Sequence, residues 1–237
     1  MASAQPAAIS PRTVVVWDGL EHALGTSPVE VVDIGGGTGG SAVRLAAMGH
    51  RVTVVDPSPD ALAALGRRAR EAGVSVAGHQ GDVDELAGIV GPDGADVVLC
   101  HGVLEVVDPA RALASIREVL RPGGLLSLLV AQTHAAVVAK AMSGQFGQAR
   151  AILDDLASGD EVRGRRRFTR DEVDLLLTGA GFTVEAVHAV RVFTDLVPGA
   201  LIDQEAGGPA ALAELERAVA ARPEYLPLAA QLHVLAR

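Results

Sequence analysis

The chain has 237 residues, of which 49% are hydrophobic and 21% charged, with a formal net charge of −9 at pH 7. That is enough apolar material for one sizeable α/β domain around a single core, and it excludes a disordered chain. The acid excess excludes a surface coated for general nucleic-acid binding, which takes clustered Lys and Arg, and leaves room only for a local basic patch.

At the amino end, "MASAQPAAISPR" lacks a charged segment followed by an apolar one, so no secretory leader is expected. No apolar run reaches the roughly 18 residues of a bilayer span, and no membrane partner is expected. Cys100 is the single cysteine; it rules out an intrachain disulfide and suits a reducing, cytoplasmic setting. From Val29 onward, strand and helix signals alternate. Short apolar or β-branched runs bounded by Gly, Pro or Asp predict buried parallel strands over Val29–Ile34, Val52–Val55, Val74–Ala77, Val97–Cys100 and Leu125–Val130. Helical patterns lie between them at Ser41–Met48, Pro59–Ala72 and Pro109–Leu120, the last with Asp108 as N-cap and Pro109 in the first helical position. "RPGG" (Arg121–Gly124) is expected to stop that helix and turn the chain into the next strand. Repeated β-α units of this length predict a doubly wound parallel sheet. Farther on, His134–Ala157 is expected to be helical with interruptions at Gly144 and Gly147, and Thr169 to Glu172 forms a capping box opening a helix that ends near Gly179 or Gly181. Phe182–Phe193 is strand-like, Gly208–Ala221 helical, and Gln231–Arg237 a last short strand. There is no internal repeat and no long linker, so one domain with an inserted helical segment is expected.

The loop "VVDIGGGTGG" (Val31–Gly40) leaves the first strand. Its glycines let the backbone turn sharply and approach a ligand, ahead of a helix N-terminus with free N–H groups. Gly35, Gly37 and Gly40 fit the G-x-G-x-x-G of dinucleotide enzymes; the same loop fits S-adenosylmethionine. Asp33 favours the second reading. A carboxylate there repels a pyrophosphate and suits a ligand carrying an ammonium and a sulfonium, and it can also bond the loop's own amides. Asp56 ends the second strand, where a carboxylate takes ribose hydroxyls; a helix N-cap is its alternative role. After the third strand, Asp82 and the Val83 N–H can read an adenine amino group and ring nitrogen, with an N-cap role for Asp82 as the alternative.

The order of "VVDIGGGTGG", "VTVVDPS", "GDV", "ADVVLCHGVLEVV" and "LRPGGLLSLLV" resembles the class I S-adenosylmethionine-dependent methyltransferases over nearly the whole chain. The resemblance implies an α/β, Rossmann-like seven-stranded sheet of order 3-2-1-4-5-7-6 with strand 7 antiparallel, the Phe182 and Gln231 segments being strands 6 and 7. "HGVLEVVDPARAL", "RVFTDL", "LAELE" and "LHVLAR" look like the bacterial transferases that methylate the carboxyl group of 5-carboxymethoxyuridine in the tRNA wobble position. That likeness implies an N-terminal cap helix over about residues 1–28, whose Arg12 meets the cofactor carboxylate, with Trp17 also at a matching position. It implies His101 at the end of strand 4, beside the cofactor and facing the substrate pocket. It further implies that the segment around residues 133–168 carries a helical insertion and an Arg-rich loop facing tRNA. Cofactor contacts are then expected from Arg12, Asp33, Gly35, Gly36, Gly37, Asp56, Asp82, Val83 and His101.

Methyl transfer is an in-line displacement, so the protein mostly aligns and desolvates the partners. A carboxylate acceptor is ionised at neutral pH and needs no general base, and the chain offers no obvious catalytic constellation and no metal site. The [DN]-P-P-[YF] signature of many amino-group methyltransferases is absent, since "CHGVLE" stands in its place. His101, His134 and Arg191 are the substrate-side candidates: either histidine as a base for a hydroxyl acceptor, Arg191 as a carboxylate partner that can equally pair with Asp195 or Glu185. Arg163, Arg165, Arg166, Arg167 and Arg170 are where tRNA would dock, or else a solvated loop. Aromatic residues are 3% of the chain, few for stacking on bases, so a small-molecule acid is the alternative acceptor. A non-catalytic protein that only binds S-adenosylmethionine is the remaining one.

Overall fold

The computed structural model describes residues 10–158, 166–202, 204 and 206–237. In chain order the elements are α1 (Val14–Leu24), β1 (Glu30–Ile34), α2 (Gly40–Ala47), β2 (Arg51–Asp56), α3 (Pro59–Ala72), β3 (Ala77–Gln80), a 3-10 turn (Val83–Glu85), α4 (Leu86–Val90), β4 (Ala95–His101), α5 (Pro109–Val119) and β5 (Leu120–Ala131). Then come α6 (Thr133–Met142), α7 (Phe146–Ser158), α8 (Arg170–Gly179), β6 (Val184–Val190), α9 (Gly199–Ile202), α10 (Gly208–Val219), a second 3-10 turn (Pro223–Leu228) and β7 (Gln231–Ala236). The strands form one seven-stranded sheet in the order β3-β2-β1-β4-β5-β7-β6. β7 runs antiparallel to both neighbours and the other pairings are parallel, as the resemblance implied. No described helix is long and apolar enough to cross a membrane.

Alternation along the strands divides the core into two layers. Val31, Val52, Val54, Val97, Leu99 and Leu125 face α1, α2 and α3 through Leu20, Leu45 and Leu65. Val32, Ile34, Val98, Leu126 and Leu128 face the opposite way, onto Leu113 and Ile116 of α5 and Val173 and Leu177 of α8. Asp33 and His101 fall on the α1 side, and both sit at the carboxyl edge of the sheet, where ligands of open α/β sheets bind.

Several boundaries differ from the sequence reading. The third strand lies at Ala77–Gln80 rather than Val74–Ala77. Gly73, at φ +69, ends α3, and the Val74 N–H donates back to the Ala69 carbonyl at 3.0 Å. Val74 is thus committed to closing the helix and the strand begins later. The strand is an exposed edge, so its own residues carry no apolar signal. The expected helix over His134–Ala157 is two helices. Gly144, at φ +73, forms the break, with Gln145 N–H on the Lys140 carbonyl at 2.9 Å, whereas Gly147 sits inside α7. "RPGG" does not separate helix from strand: α5 ends at Val119, β5 starts at Leu120, and the glycines lie in an irregular stretch where the β4–β5 register shifts.

The segment after β6 is fixed from a distance. Glu216 on α10 is fully buried, and its carboxylate accepts the N–H groups of Val192, Phe193 and Thr194 at 2.9, 3.0 and 2.8 Å and the Thr194 hydroxyl at 2.6 Å. Successive amides converging on one carboxylate force a tight curl. The preceding Arg191 is thereby held at φ +61, a left-handed conformation that costs a non-glycine residue about 1 kcal/mol or more. Glu216→Ala leaves those amides buried and unpartnered. It is expected to lower the unfolding free energy by about 3 kcal/mol, read from urea denaturation; a loss below about 1 kcal/mol would show that the curl does not depend on it.

Candidate cofactor and acceptor site

The strand ends place the sequence-predicted residues side by side. Ile34 pairs with Val55 and with Cys100, so the loop after β1 lies between Asp56 of β2 and His101 of β4. Asp56 accepts the Gly37 N–H at 2.9 Å with one oxygen and the Ser58 N–H at 2.8 Å with the other, which fixes the loop's crest. The N-cap of α3 is Ser58, not Asp56, through the Ala61 N–H at 3.2 Å. A Cβ on Gly35 (φ +64) would lie 2.8 Å from Val103, and one on Gly36 would lie 2.6 Å from Asp33 Oδ2. The loop is therefore tight enough that only glycine fits.

Asp33 does not bond the loop amides. Its Oδ2 is buried without a hydrogen-bond partner. Burial first, and the Asp56 charge second, push its carboxyl from 3.8 up to about 7. Asp82 caps the 3-10 turn: its carboxylate accepts the Val83 N–H at 2.6 Å, and its own N–H donates to Glu85 Oε2 at 2.9 Å. The structure thus gives Asp82 its alternative, capping role and engages the Val83 amide with it. His101 closes this row, its Nε2 lying 2.9 Å from Ser127 Oγ, and burial pushes its imidazole down to about 4.

At the Ala131 end of β5 and the Gln231 end of β7 is a cavity of about 490 Å³ walled by Ala135, Ala136, Ala139 and Met142 of α6 and by Leu228, with Arg167, Arg191 and Asp195 among its polar lining. Asp195 accepts from Arg12 Nη1 at 2.8 Å with Oδ1 and pairs with Arg191 through Oδ2. The Arg191 Nη1 reaches Gln231 at 3.3 Å, while its Nε is buried without a partner. Arg12, expected at a cofactor carboxylate, is on Asp195 and 56% exposed, which leaves its head accessible. His134 is exposed in the first turn of α6 and does not line the cavity.

The chain matches a methyltransferase domain model over residues 31–124. It is 30% identical over 239 residues to the tRNA 5-carboxymethoxyuridine methyltransferase of Escherichia coli K12, an alignment covering 95% of this chain and 87% of that protein. The chain is a class I S-adenosylmethionine-dependent methyltransferase. An uncharacterized methyltransferase of Mycobacterium tuberculosis H37Rv is 30% identical over 187 residues, covering 78% of this methyltransferase and 67% of the relative. Among solved structures, an S-adenosylmethionine-dependent methyltransferase from Mesorhizobium loti superposes with a TM-score of 0.61 at 22% identity, covering 94% of this chain and 97% of that one. A Burkholderia thailandensis 1,6-didemethyltoxoflavin-N1-methyltransferase with bound S-adenosylhomocysteine gives 0.56 at 24% identity, covering 96% and 77%. Both likenesses show the fold. The dinucleotide reading of the glycine loop falls with these findings.

The cradle formed by Asp33, the Gly35–Gly37 loop and Asp56 fits the cofactor of this methyltransferase: it offers a buried, unpartnered carboxylate oxygen beside a loop whose Cβ-free backbone admits close approach. The arginines expected near tRNA part company. Arg163 and Arg165 lie outside the described residues. Arg166 stacks on Phe168 at 5.2 Å and its N–H bonds the Glu105 carbonyl; Arg170 is paired with Asp174 along α8 at 2.7 Å; Arg167 alone of the described three lines the cavity. Sequence reasoning assigned no role to Glu105, which is buried with Oε1 on the N–H of Ala131, a residue that lines the cavity, at 2.8 Å and Oε2 unpartnered. Its signal was an acid inside the apolar run "HGVLEVV".

Asp33 has a measurable signature. Its folded-state pKa lies above its unfolded value, so the fold holds a proton that the unfolded chain releases between pH 3.8 and about 7. Without ligand, the Asp33 contribution to stability is therefore lost as pH rises through that window, at up to about 1.4 kcal/mol per pH unit. Asp33→Asn is expected to remove this slope, so that variant and parent stabilities, measured by denaturation from pH 4 to pH 8, diverge in favour of the variant toward the alkaline end.

Proposed function

We propose that this methyltransferase transfers its methyl group to the carboxylate of 5-carboxymethoxyuridine at the tRNA wobble position. The observation that carries the reading is Arg191, strained into the left-handed region and lining the cavity with a buried, unpartnered Nε. A donor so placed suits an acceptor carboxylate, as does Arg167, which lines the same cavity. The name of the E. coli relative supports the acceptor. Bound in the cradle, S-adenosylmethionine supplies an activated methyl group. The chain's own task is to hold the acceptor carboxylate in line and exclude water, with no proton to remove. Asp33 would hold the cofactor's ammonium, the Gly35, Gly36 and Gly37 backbone its amino-acid end, Arg12 its carboxylate and Asp56 its ribose; the Asp82–Val83 turn, whose carboxylate and amide are bonded to each other, would flank the adenine, and His101 would stand on the acceptor side. Arg163, Arg165, Arg166 and Arg167 are the candidates for the tRNA backbone, Arg170 being held by Asp174. A tRNA acceptor also implies a cytoplasmic enzyme.

A small-molecule acid is the second reading. It is favoured by the alanine-rich walls of the cavity, which would enclose a compact acceptor.

If a cation settles on Asp33, binding drives off the proton that the unliganded carboxyl holds. Titration calorimetry with S-adenosylmethionine at pH 6, in buffers of different ionisation enthalpy, is expected to show release of close to one proton. The release should disappear at pH 8 and in Asp33→Asn, which should also bind at least about tenfold more weakly.

The acceptor is tested with labelled S-adenosylmethionine and tRNA carrying unmethylated 5-carboxymethoxyuridine. Transfer to that base is expected, with kcat/KM reduced about 10- to 100-fold in Arg191→Ala. Absence of transfer to any tRNA would sink the reading, and transfer to free carboxylic acids instead would establish the second.

A further inference from the structure

One row of the sheet, on the face under α1, carries histidines on three of its four strands: His101 of β4 pairs with Leu129 of β5, Leu129 with His233 of β7, and His233 with His188 of β6. Ser127, two residues before Leu129 and on the same face, spans the gap. Its Oγ lies 2.9 Å from His101 Nε2 and 2.8 Å from His233 Nε2. His233 Nδ1 then meets His188 Nδ1 at 3.4 Å. Those two rings have centroids 5.5 Å apart and planes 27° apart, the edge-to-edge arrangement in which an N–H of one ring points at the lone pair of the other. The middle of the chain is sealed: Ser127 and His233 are fully buried. Its ends are not, since His101 and His188 are both partly exposed. The helix above is pared back to admit it, because a Cβ on Gly19 of α1 would lie 3.1 Å from His188 and 3.3 Å from His233.

Each link joins groups that both donate and accept, so the hydrogens are correlated. If His101 carries its hydrogen on Nε2, the Ser127 hydroxyl points to His233 Nε2, the His233 hydrogen is on Nδ1, and His188 carries its own on Nε2. The complementary pattern reverses every link and puts the His101 hydrogen on Nδ1, a nitrogen with no hydrogen-bond partner among the described residues. Burial lowers the pKa of all three rings, and no carboxylate among the described residues bonds any of them.

We propose that His101, Ser127, His233 and His188 form a proton path from the methyl-transfer site to the β6 edge of the sheet, which would let the enzyme methylate an acceptor that arrives protonated, with an O–H or N–H group. The proton leaving the acceptor binds His101 Nδ1, and the acceptor keeps the electron pair that forms the new bond to the methyl carbon. The hydrogen on His101 Nε2 passes to Ser127 Oγ, the Ser127 hydrogen to His233 Nε2, the His233 Nδ1 hydrogen to His188 Nδ1, and the His188 Nε2 hydrogen to water. One proton enters, one leaves, and every ring starts and ends neutral, so the interior never holds a full charge. Ser127, His233 and His188 are positioning residues in this scheme. It extends the acceptor chemistry beyond a carboxylate, resting only on His101 lying at the methyl-transfer site.

The test needs no acceptor, so its failure leaves the carboxylate reading untouched. In protein labelled with 15N-histidine and saturated with S-adenosylhomocysteine, long-range 15N–1H correlation spectra at pH 7 assign the hydrogen on each ring. The path predicts three neutral rings, with one and only one of the two Nε2 atoms facing Ser127 protonated. Both protonated, both bare, or any charged ring would overturn it, and the unaltered protein alone gives that answer. Ser127→Ala should release His101 and His233 into tautomer mixtures, and Ser127→Thr should restore a single pattern. His188→Phe should change the His101 tautomer ratio although the two residues do not touch. An unaltered His101 in both Ser127→Ala and His188→Phe would reduce the row to packing.

Discussion

The Asp56 carboxylate accepts the Gly37 amide with one oxygen and the Ser58 amide with the other, and the geometry of the cofactor cradle depends on that double engagement. It ties the crest of the loop after β1 to the end of β2. The helix that follows, α2, is entered through Gly39, held in the left-handed region with no room for a Cβ against Leu65. It also leaves Asp33 alone. The Gly37 amide goes to Asp56 and the Gly35 amide to the Val55 carbonyl, and Asp33 stays a buried acid whose proton is poised near neutrality. Two carboxylates on neighbouring strands thus have different surroundings, one bonded to backbone amides and one buried with an oxygen left unpartnered.

The segment after β6 depends on two further carboxylates. Glu216 holds three consecutive amides, which curls the chain at Arg191, and Asp195 at the end of the curl takes Arg12 and Arg191 at once. An arginine ahead of α1 and an arginine after β6 therefore share one partner. Any ligand that draws Arg12 away changes the field around Arg191, so the two halves of the site are joined by chemistry as well as by proximity.

What was legible in the sequence was local. Asp108 and Thr169 announce their helices through side chain to amide bonds three residues away, and both caps are present. The glycine loop and Asp33 were legible because tight turns and buried acids leave few alternatives in residue type. Strand β3 was misplaced because its apolar signal belonged to the closing of α3, and Asp82 was ambiguous because capping and ligand reading use the same atoms. Glu216, Ser127 and His233 gave no signal of their own. Their partners lie 22 to 24, 26 and 106, and 45 and 106 positions away, and only the sheet register brings them together.

The strand order carries a consequence for how the chain is made. β7 follows β6 in sequence yet sits between β5 and β6, so when β6 emerges during synthesis it has no place in the sheet and must wait for its neighbour. Until then β5 presents an open edge, and His188 and Arg191 lack the strand they pack beside. The cofactor cradle, built from β1, β2 and β4, suffers no such delay. The glycine loop and its strands can therefore be complete while the β6 edge of the sheet is still forming.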